Sequence, residues 1–536
     1  MKHFDALIIG AGPTGAVATK RLLEAGMRVV VLEQGDWRHR DTARADQTDF
    51  ELTALVDWAA SPNRRRDAAD YPIQDAQSDI TPLLFNGVGG SSVMYAAQWQ
   101  RNLPSDFCVR TLDGVADDWP LTYEELEPFY QRVEEDFGIS GQDGDPAYPP
   151  GFQLPLPPLP MSRVAKKIAK AHNDLGWHWW PASNAIATRP YRSLNPCSQR
   201  GTCMWGCVEG AKASVDITHW PNNVRRGAQL ITGARVQRLE VNAQGLVTGA
   251  HYINRDGHEH FQAADVTVLG ANGIGTPRIL LLSSNGRYPN GLANSSGLVG
   301  KRLMMHPFNA VVGLFDENLG TTHGAWGQQI HCLQFYESDS NRGFVRGAKW
   351  GLQPTGGPLA MTRYYPWGSD LDIWGDPFHR VIEQRLGRSA TWGIIAEDLP
   401  DEANCVELDS EWCDDDGIPA PRLTYKQSDH SNRLLAFHLD RASESLKAAG
   451  AYETIVAPKI REIGWHMLGT CKMGDDPETS VVNRWGQTHD IANLFIFDGS
   501  IWPTSSGMNP TATIAAMALR CAEHLIEKRH RQRVPS

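Results

Sequence analysis

The N-terminal residues alternate between apolar runs and glycine-rich turns. Phe4–Ile9 is a short apolar run, residues 16–25 are rich in alanine and leucine and end before Gly26, and Val29–Leu32 is a second apolar run. This pattern predicts a strand, a helix and a second strand, with residues 10–15 as the loop before the helix. The order is that of the dinucleotide-binding unit of a parallel sheet.

Later segments predict a second region with a different architecture. Residues 148–161 contain six prolines and predict a rigid connector that leaves the first domain. Residues 228–262 alternate apolar and polar positions between Gly and Asn turns, which predicts a meander of strands. Residues 266–270 and 494–497 predict further strands, and a helix is expected from Pro510 onward.

Composition excludes several classes of protein. The chain has 536 residues, of which 41% are hydrophobic and 21% charged, so it folds around a sizeable core. Its net charge of −11 argues against binding to nucleic acid, which is itself negatively charged. We expect no membrane span, since no apolar run approaches the ~18 residues that one needs. Because the N-terminus runs directly into a strand without a cleavage site, we expect a cytoplasmic protein.

The first glycine loop predicts a dinucleotide cofactor. Residues 10–15 read GAGPTG, in which Gly10 permits a tight turn, Gly12 lets the backbone approach a pyrophosphate, and Gly15 lets the helix pack on the strand. Glu33 follows the second strand, where a carboxylate can bind ribose hydroxyls. The loop alone leaves NAD and FAD open.

Four further segments carry a resemblance to a known family. They are GVGGSSVMYAAQWQR at 87–101, VGKRLMMHP at 299–307, HMLGTCKMG at 466–474 and FDGSIWPTSSGMNPTATIAAMALR at 497–520. In this order they resemble the glucose–methanol–choline (GMC) family of FAD-dependent alcohol oxidoreductases, in particular its sugar-oxidising branch and bacterial FAD-dependent glucose dehydrogenases. The resemblance therefore favours FAD over NAD.

The resemblance implies an α/β fold, with a Rossmann-like FAD-binding domain and an interleaved α+β substrate domain built on an antiparallel sheet. We assign residues 1–155, 206–310 and 458–536 to the FAD-binding domain and residues 156–205 and 311–457 to the substrate domain. Some relatives bind flavin covalently through a histidine at the position of Met94, so we predict that the FAD of this chain is non-covalent.

The resemblance also implies the site residues. His466 and Asn509 align with the two catalytic positions of the family, and Asn509 is also placed to cap the helix that follows Pro510. Asp498 is expected near the pyrophosphate or ribityl part of FAD, although Asp-Gly is also an ordinary turn at the end of a strand. The predicted cofactor-binding residues are Gly10, Gly12, Thr14, Gly15, Glu33, Gly89, Gly90, Ser91, Val236, Asp498, Pro510 and Thr511.

The implied reaction is the oxidation of an alcohol to a carbonyl. His466 accepts the hydroxyl proton, the hydride passes to flavin N5, and both catalytic residues stabilise the alkoxide-like transition state. Many of the 18 tryptophans are core, but Trp177, Trp179, Trp180, Trp367 and Trp374 suggest an aromatic-lined site that suits a sugar, glycoside or aminosugar. Oxygen or a quinone or dye is the expected electron acceptor.

Three cysteines leave two interpretations open. Cys197, Cys203 and Cys207 have the spacing that resembles the three-iron cluster of bacterial glucose dehydrogenases, which would relay electrons to a cytochrome partner. Alternatively, they pack as small buried residues. The first interpretation makes the chain the catalytic subunit of an iron–sulfur dehydrogenase.

Besides a self-contained enzyme and an iron–sulfur dehydrogenase, a third hypothesis is a flavin-binding protein without turnover. The intact His466 and Asn509 pair disfavours it.

Overall fold

Two large sheets organise the chain in the computed structural model, which describes residues 3–38, 51, 57–358, 375–457 and 460–533. The strands are β1 (Phe4–Ile9), β2 (Val29–Leu32), β3 (Gln74–Ser78), β4 (Trp180–Pro181), β5 (Gln229–Ile231), β6 (Arg235–Val241), β7 (Val247–Ile253), β8 (Glu259–Leu269), β9 (Phe308–Leu314), β10 (Ile330–Cys332), β11 (Ala348–Gln353), β12 (Ser389–Ala396), β13 (Cys405–Cys413), β14 (Pro419–Tyr425), β15 (Glu453–Val456) and β16 (Leu494–Ile496).

Helices connect and cover these sheets. They are α1 (Pro13–Glu24), α2 (Pro62–Arg65), α3 (Val109–Asp113), α4 (Tyr123–Phe137), α5 (Arg163–Leu175), α6 (Val215–Thr218), α7 (Trp220–Arg225), α8 (Asn272–Leu282), α9 (Asp376–Arg385), α10 (Asp429–Ala448) and α11 (Thr511–Arg533). Short 3-10 helices lie at Gly90–Val93, Pro104–Phe107, Cys203–Trp205, Ser340–Arg342 and Gly499–Ile501.

The first sheet has seven strands in the order β5-β2-β1-β8-β7-β6, with β16 also paired to β8. Strands β5, β2, β1, β8 and β16 are parallel, whereas β6, β7 and the first half of β8 form the antiparallel meander. Strand β1 is buried along nearly its whole length, as expected for a parallel strand covered on both faces. Helix α11 packs against α1 and α4 on this sheet.

The second sheet is antiparallel, with six strands in the order β15-β9-β12-β11-β10-β4. Helix α10 packs across β9 and β12, and the rings of Trp350 and Trp392 lie in the core between them. The observed mixture of a Rossmann-like sheet and an antiparallel sheet confirms the predicted fold class. The five predicted segment boundaries remain a prediction.

The predicted elements near the glycine loop agree closely with those of the structure. Strands β1 and β2 have the predicted bounds, and α1 begins at Pro13 because proline fits the first helical turn. Strand β8 is longer than the predicted 266–270, since its first half pairs with β7. Within the described residues we find no helix with the length and apolarity that a bilayer crossing needs.

Candidate active site

A cavity of about 440 Å³ extends from the first glycine loop to the two predicted catalytic residues. The predicted site residues that line it are Gly10, Gly12, Thr14, Glu33, Gly90, Ser91, Val236, His466, Asp498, Asn509, Pro510 and Thr511. Gly15 and Gly89 stand behind the lining, where the Gly89 N–H donates to the Ala11 carbonyl at 3.0 Å. Residues separated by several hundred positions in sequence therefore meet in one cavity.

The two glycine-rich loops pack against each other at one end of the cavity. A Cβ atom on Gly90 would lie 2.8 Å from Gly12 Cα, and one on Gly10 would lie 2.5 Å from the Gly270 carbonyl oxygen. Gly10 has a φ of 102° and Gly90 a φ of 52°, both of which favour glycine. Larger residues at these positions would separate the loops and obstruct the cavity.

The N-terminus of α1 opens onto this end of the cavity. Gly12 is its N-cap and provides no side-chain hydrogen bond, so the first N–H groups of the helix are not capped by that residue. Such a helix end favours an anion. The arrangement fits the pyrophosphate of a dinucleotide.

Glu33 supplies a carboxylate beside the same loop. The N–H of Ala11 donates to Glu33 Oε2 at 2.8 Å, and the N–H of Gly35 donates to Oε1 at 3.0 Å. Burial raises the pKa of Glu33, and these two N–H groups oppose the shift. The carboxylate is thus held rigidly at the end of β2, where it can accept hydrogen bonds from ribose hydroxyls.

Asp498 lines the cavity at the carboxyl end of β16, the same edge of the sheet as the first glycine loop. Its Oδ2 accepts from the Asn272 N–H at 3.0 Å and from the Thr276 hydroxyl at 2.6 Å, and its Oδ1 accepts from the Ser500 N–H at 2.9 Å. Burial raises the pKa of this carboxyl. Asp498 ties β16 to the start of α8, so its structural role as a turn residue and its place in the lining coexist. These features together fit FAD.

A pair of histidines lies at the opposite end of the cavity. Met304 and Leu468 form an antiparallel bridge, and this pairing brings His306 opposite His466. Their Nδ1 atoms are 2.7 Å apart, and their rings meet edge to face with centroids 4.8 Å apart. His306 was not predicted as a site residue, although it belongs to the segment 299–307 that carried the resemblance.

The hydrogen bonds of this pair fix the tautomers of both rings. His306 Nε2 lies 3.1 Å from the Ser505 carbonyl oxygen, which can only accept, so Nε2 carries the proton. In a neutral His306, Nδ1 is then the acceptor, and His466 must donate to it from its own Nδ1. Nε2 of His466 therefore keeps its lone pair, and no described residue donates to it.

Both rings are neutral at neutral pH. Burial lowers the pKa of His306 to about 4. Burial also lowers the pKa of His466 well below its usual value, and the neighbouring His306 and Lys349 lower it further. A neutral His466 with a free Nε2 at the cavity is suited to accept a proton.

Asn509 lies just before α11. The Ile514 N–H donates to the Pro510 carbonyl at 2.9 Å, so Pro510 occupies the N-cap position. The prediction that Asn509 caps the helix is therefore wrong. Its Oδ1 instead accepts a short hydrogen bond from Lys349 Nζ. Asn509 is partly exposed to the cavity that His466 also lines.

The aromatic residues at the cavity differ from those predicted. Trp177 packs against Phe335 in the core of the second sheet, and the indole N–H groups of Trp179 and Trp180 donate to Asn173 and to the Gln142 carbonyl. Trp367 and Trp374 lie outside the described residues. The tryptophans that line the cavity are Trp58, Trp205, Trp326 and Trp465. Their contributing segments are far apart in sequence, so no local pattern signalled them.

The three cysteines lie beside the cavity without lining it. Cys203 is buried in a short 3-10 helix whose next two residues, Met204 and Trp205, reach the cavity. Backbone N–H groups donate to Cys197 and Cys207 at 3.3 Å. Among the described residues the three sulfur atoms do not gather within 4.8 Å of one another, as they would around a single metal ion.

A different group has the spacing of metal ligands. Asp145, His178 and His331 place one ligand atom each within 4.8 Å of the others, the one such group found in the described part of the chain. However, the Leu333 N–H donates to His178 Nδ1 at 3.0 Å, so His178 Nε2 carries a proton and donates to Asp145. A metal-bound histidine needs the opposite tautomer. We therefore interpret the group as hydrogen-bonded residues that join the loop at Asp145 to β10.

Comparisons with known proteins agree with this geometry. Two family models described as GMC oxidoreductase match residues 4–308 and 400–518. The 2-methyl-1,2-propanediol dehydrogenase of Mycolicibacterium austroafricanum is 39% identical over 533 residues, covering 97% of this chain and 95% of that protein. The fructose dehydrogenase large subunit of Gluconobacter japonicus is 29% identical and covers 97% of each chain. The crystal structure of pyridoxine 4-oxidase from Mesorbium loti superposes with a TM-score of 0.65 at 19% identity, over 97% of this chain and 98% of that one.

Proposed function

The chain belongs to the GMC oxidoreductase family, and from this membership we propose that it oxidises a hydroxyl group of a sugar, glycoside or aminosugar to a carbonyl with FAD. The observation that carries the proposal is the free Nε2 of His466 in a cavity that also contains Asn509 and the glycine loops. Relatives named for a diol and for fructose support a polyhydroxylated substrate.

One end of the cavity would bind the cofactor, and the other end would bind and oxidise the alcohol. The N-terminus of α1 and Glu33 would hold the pyrophosphate and a ribose of FAD, and Asp498 and the residues at the start of α11 would border the rest of the cofactor. Bound FAD supplies a two-electron acceptor for the hydride of the alcohol. The remaining chemistry belongs to the protein.

His466 acts as the base. Its Nε2 takes the hydroxyl proton while its Nδ1–H stays hydrogen-bonded to His306, which the Ser505 carbonyl orients. The amide N–H of Asn509 donates to the oxygen that becomes negative as the proton leaves. Because Ser505 and Asn509 belong to one loop, in which Ser505 and Met508 are buried, the base and the donor are positioned together.

A panel of alcohols tests this proposal. We expect sugars, glycosides and aminosugars to bleach the flavin of the purified protein under anaerobic conditions, with one carbonyl formed per flavin. Reoxidation by oxygen or by a quinone dye would identify the acceptor. A panel in which only simple aliphatic diols bleach the flavin would replace the sugar assignment, and a flavin that no alcohol bleaches would refute the proposal.

The flavin is expected to be non-covalent. Met94 is completely buried and lines the cavity at the position where some relatives carry a flavin-binding histidine. A thioether has no nucleophilic nitrogen comparable to imidazole, so no bond to flavin is expected there. Acid precipitation should leave the yellow colour in the supernatant; a yellow pellet would contradict this prediction.

A second candidate is the catalytic subunit of an iron–sulfur dehydrogenase with a cytochrome partner. The observation that favours it is the set of N–H donors around the thiols, which includes the backbone of Trp326 and Gly327 at Cys203. Without metal, burial raises the pKa of Cys197 to about 12, so this thiol stays protonated. A cluster would relay electrons from FAD when present.

Iron analysis separates the two candidates. For the self-contained enzyme we expect flavin without stoichiometric iron in anaerobically purified protein. Roughly three irons per chain, lost in a Cys203→Ser variant that still binds FAD, would favour the iron–sulfur dehydrogenase instead. Cys521→Ser is the matched control, because Cys521 is equally buried but lies on α11.

A further inference from the structure

A buried lysine stands behind the catalytic end of the cavity. Lys349 of β11 is fully buried, and no described carboxylate pairs with it. Its Nζ instead lies within hydrogen-bond distance of four amide oxygens, which share its N–H groups: Gln98 Oε1 at 3.0 Å, Gln100 Oε1 at 2.9 Å, Gln328 Oε1 at 3.1 Å, and Asn509 Oδ1. This burial lowers the pKa of Lys349 well below its usual value. Because burying a lysine without a counter-ion is costly, this arrangement does not serve stability alone.

The lysine determines how the surrounding amides are oriented. Each of the four amides turns its oxygen toward the N–H groups of Nζ and its NH₂ group away, since an amide accepts a hydrogen bond only through its oxygen. The NH₂ group of Gln100 then donates to the Ser183 carbonyl at 2.9 Å, and that of Gln328 donates to Gln98 Oε1 at 2.7 Å. Both of these NH₂ groups are satisfied within the protein.

The other two NH₂ groups face the cavity. Nδ2 of Asn509 and Nε2 of Gln98 have no acceptor among the described residues, and neither atom is sealed from the cavity. Gln98 and Asn509 both line the cavity, whereas Gln100 does not. We call the amides of Gln98, Gln100, Gln328 and Asn509 the cage around Lys349. This cage presents two amide donors to the molecule that occupies the space beside His466.

We propose that Lys349 is a positioning residue that aims the amide groups of Asn509 and Gln98 into the cavity, where Gln98 binds a second oxygen of the substrate. Asn509 donates to the reacting oxygen, and Gln98 donates to a neighbouring hydroxyl or ring oxygen. This inference rests on the proposed function and specifies it. The favoured substrates are alcohols that carry another oxygen close to the carbinol carbon, as vicinal diols and sugars do.

A glycine of the same strand makes room for this cage. A Cβ atom on Gly351 would lie 1.5 Å from Nε2 of Gln328, so any side chain there would displace the Gln328 amide. That amide lies in contact with both Lys349 and Gln98. The strand therefore provides the space through which Gln328 completes the cage.

The test compares two alcohols that differ by one hydroxyl. The rate of anaerobic flavin reduction and its dependence on concentration are measured for 1,2-propanediol and for 1-propanol, in the native protein and in three variants. The quantity of interest is the ratio of kcat/KM for the diol to that for the monohydroxy alcohol. The variants are Gln98→Met, Gln100→Met and Lys349→Met, each close in length to the residue it replaces.

We expect the native protein to favour the diol by tenfold or more, because a buried donor left unpaired by the monohydroxy alcohol is unfavourable. Gln98→Met should reduce this ratio about tenfold. Gln100→Met is the matched control: it removes one oxygen from the cage but no donor from the cavity, so its ratio should stay near the native one. An unchanged ratio in Gln98→Met would overturn the assignment of Gln98.

Lys349→Met separates positioning from structural support. We expect it to lose the diol preference in protein that still binds FAD and unfolds cooperatively, because the substitution breaks no ion pair. A lower thermal midpoint together with a native ratio would assign Lys349 a purely structural role and overturn the proposal. If the native protein reduces its flavin with neither alcohol nor any sugar, the proposed function itself fails, which is a different outcome from an unchanged ratio.

Discussion

The His466→Ala variant should reduce its flavin with alcohol about 10²- to 10⁴-fold more slowly than the native protein, which is the range for removal of a general base. The reason is that this ring is neutral, with its proton on Nδ1 and a lone pair on Nε2. His306 and Ser505 leave the lone pair of His466 Nε2 free, and neither burial nor the nearby Lys349 allows the ring to be charged at neutral pH. Stopped-flow absorbance of the flavin under anaerobic conditions gives the rate constant directly.

FAD content and a control histidine show that the loss is chemical. His466→Ala should retain FAD, because the glycine loops and Glu33 lie at the other end of the cavity. His258→Ala removes an exposed histidine from a turn and should reduce its flavin at the native rate. Rapid flavin reduction in His466→Ala would show that another group takes the proton.

The second large effect is expected at Gly15. A Cβ atom there would lie 2.0 Å from the Gly10 carbonyl oxygen and 3.4 Å from Ile8 Cγ2, so Gly15→Ala must push α1 away from β1. The displaced helix end can no longer face the phosphates of FAD. We expect purified Gly15→Ala to contain less than about a tenth of the native flavin, because the loss of the phosphate contacts weakens affinity by tenfold for each ~1.4 kcal/mol and flavin is lost during purification.

The flavin-to-protein absorbance ratio and the thermal midpoint measure this effect. Gly286→Ala is the matched control, because a Cβ at Gly286 meets no atom within 4 Å and its backbone needs no glycine. It should keep native flavin content and native stability. Full flavin occupancy in Gly15→Ala would mean that the loop at residues 10–15 does not hold the cofactor.

The dinucleotide-binding unit was predictable because its signals are local. The apolar runs of β1 and β2 gave strands with the observed bounds, and the glycines between them have short-range reasons for being glycine. The meander at 228–262 was predictable for the same reason, since alternation along one strand does not depend on distant partners. Strand β8 was predicted too short, because only its second half is a buried apolar run, whereas its first half has the mixed burial of the meander.

The catalytic end was only partly predictable. His466 and Asn509 followed from the resemblance, but the tautomer of His466 depends on the bridge between Met304 and Leu468, which joins distant segments. The role of Lys349 could not be predicted from the sequence, because a lysine in a strand is usually solvated. Only the assembled sheet places four amide oxygens around its Nζ. The cavity tryptophans likewise come from four separate segments of the chain, whereas Trp177 and Trp179 of the tryptophan-rich segment pack against a core.

The most direct test of the account is anaerobic reduction of the bound flavin by an alcohol that carries deuterium on the carbinol carbon. If His466 removes the hydroxyl proton and the carbinol carbon donates a hydride, the alcohol should bleach the flavin and one carbonyl should form per flavin. Deuterium on the carbinol carbon should then slow the bleaching severalfold. A flavin that stays oxidised with every sugar and diol, or one reduced without any carbonyl product, would contradict the claim that this cavity is an alcohol-oxidising active site.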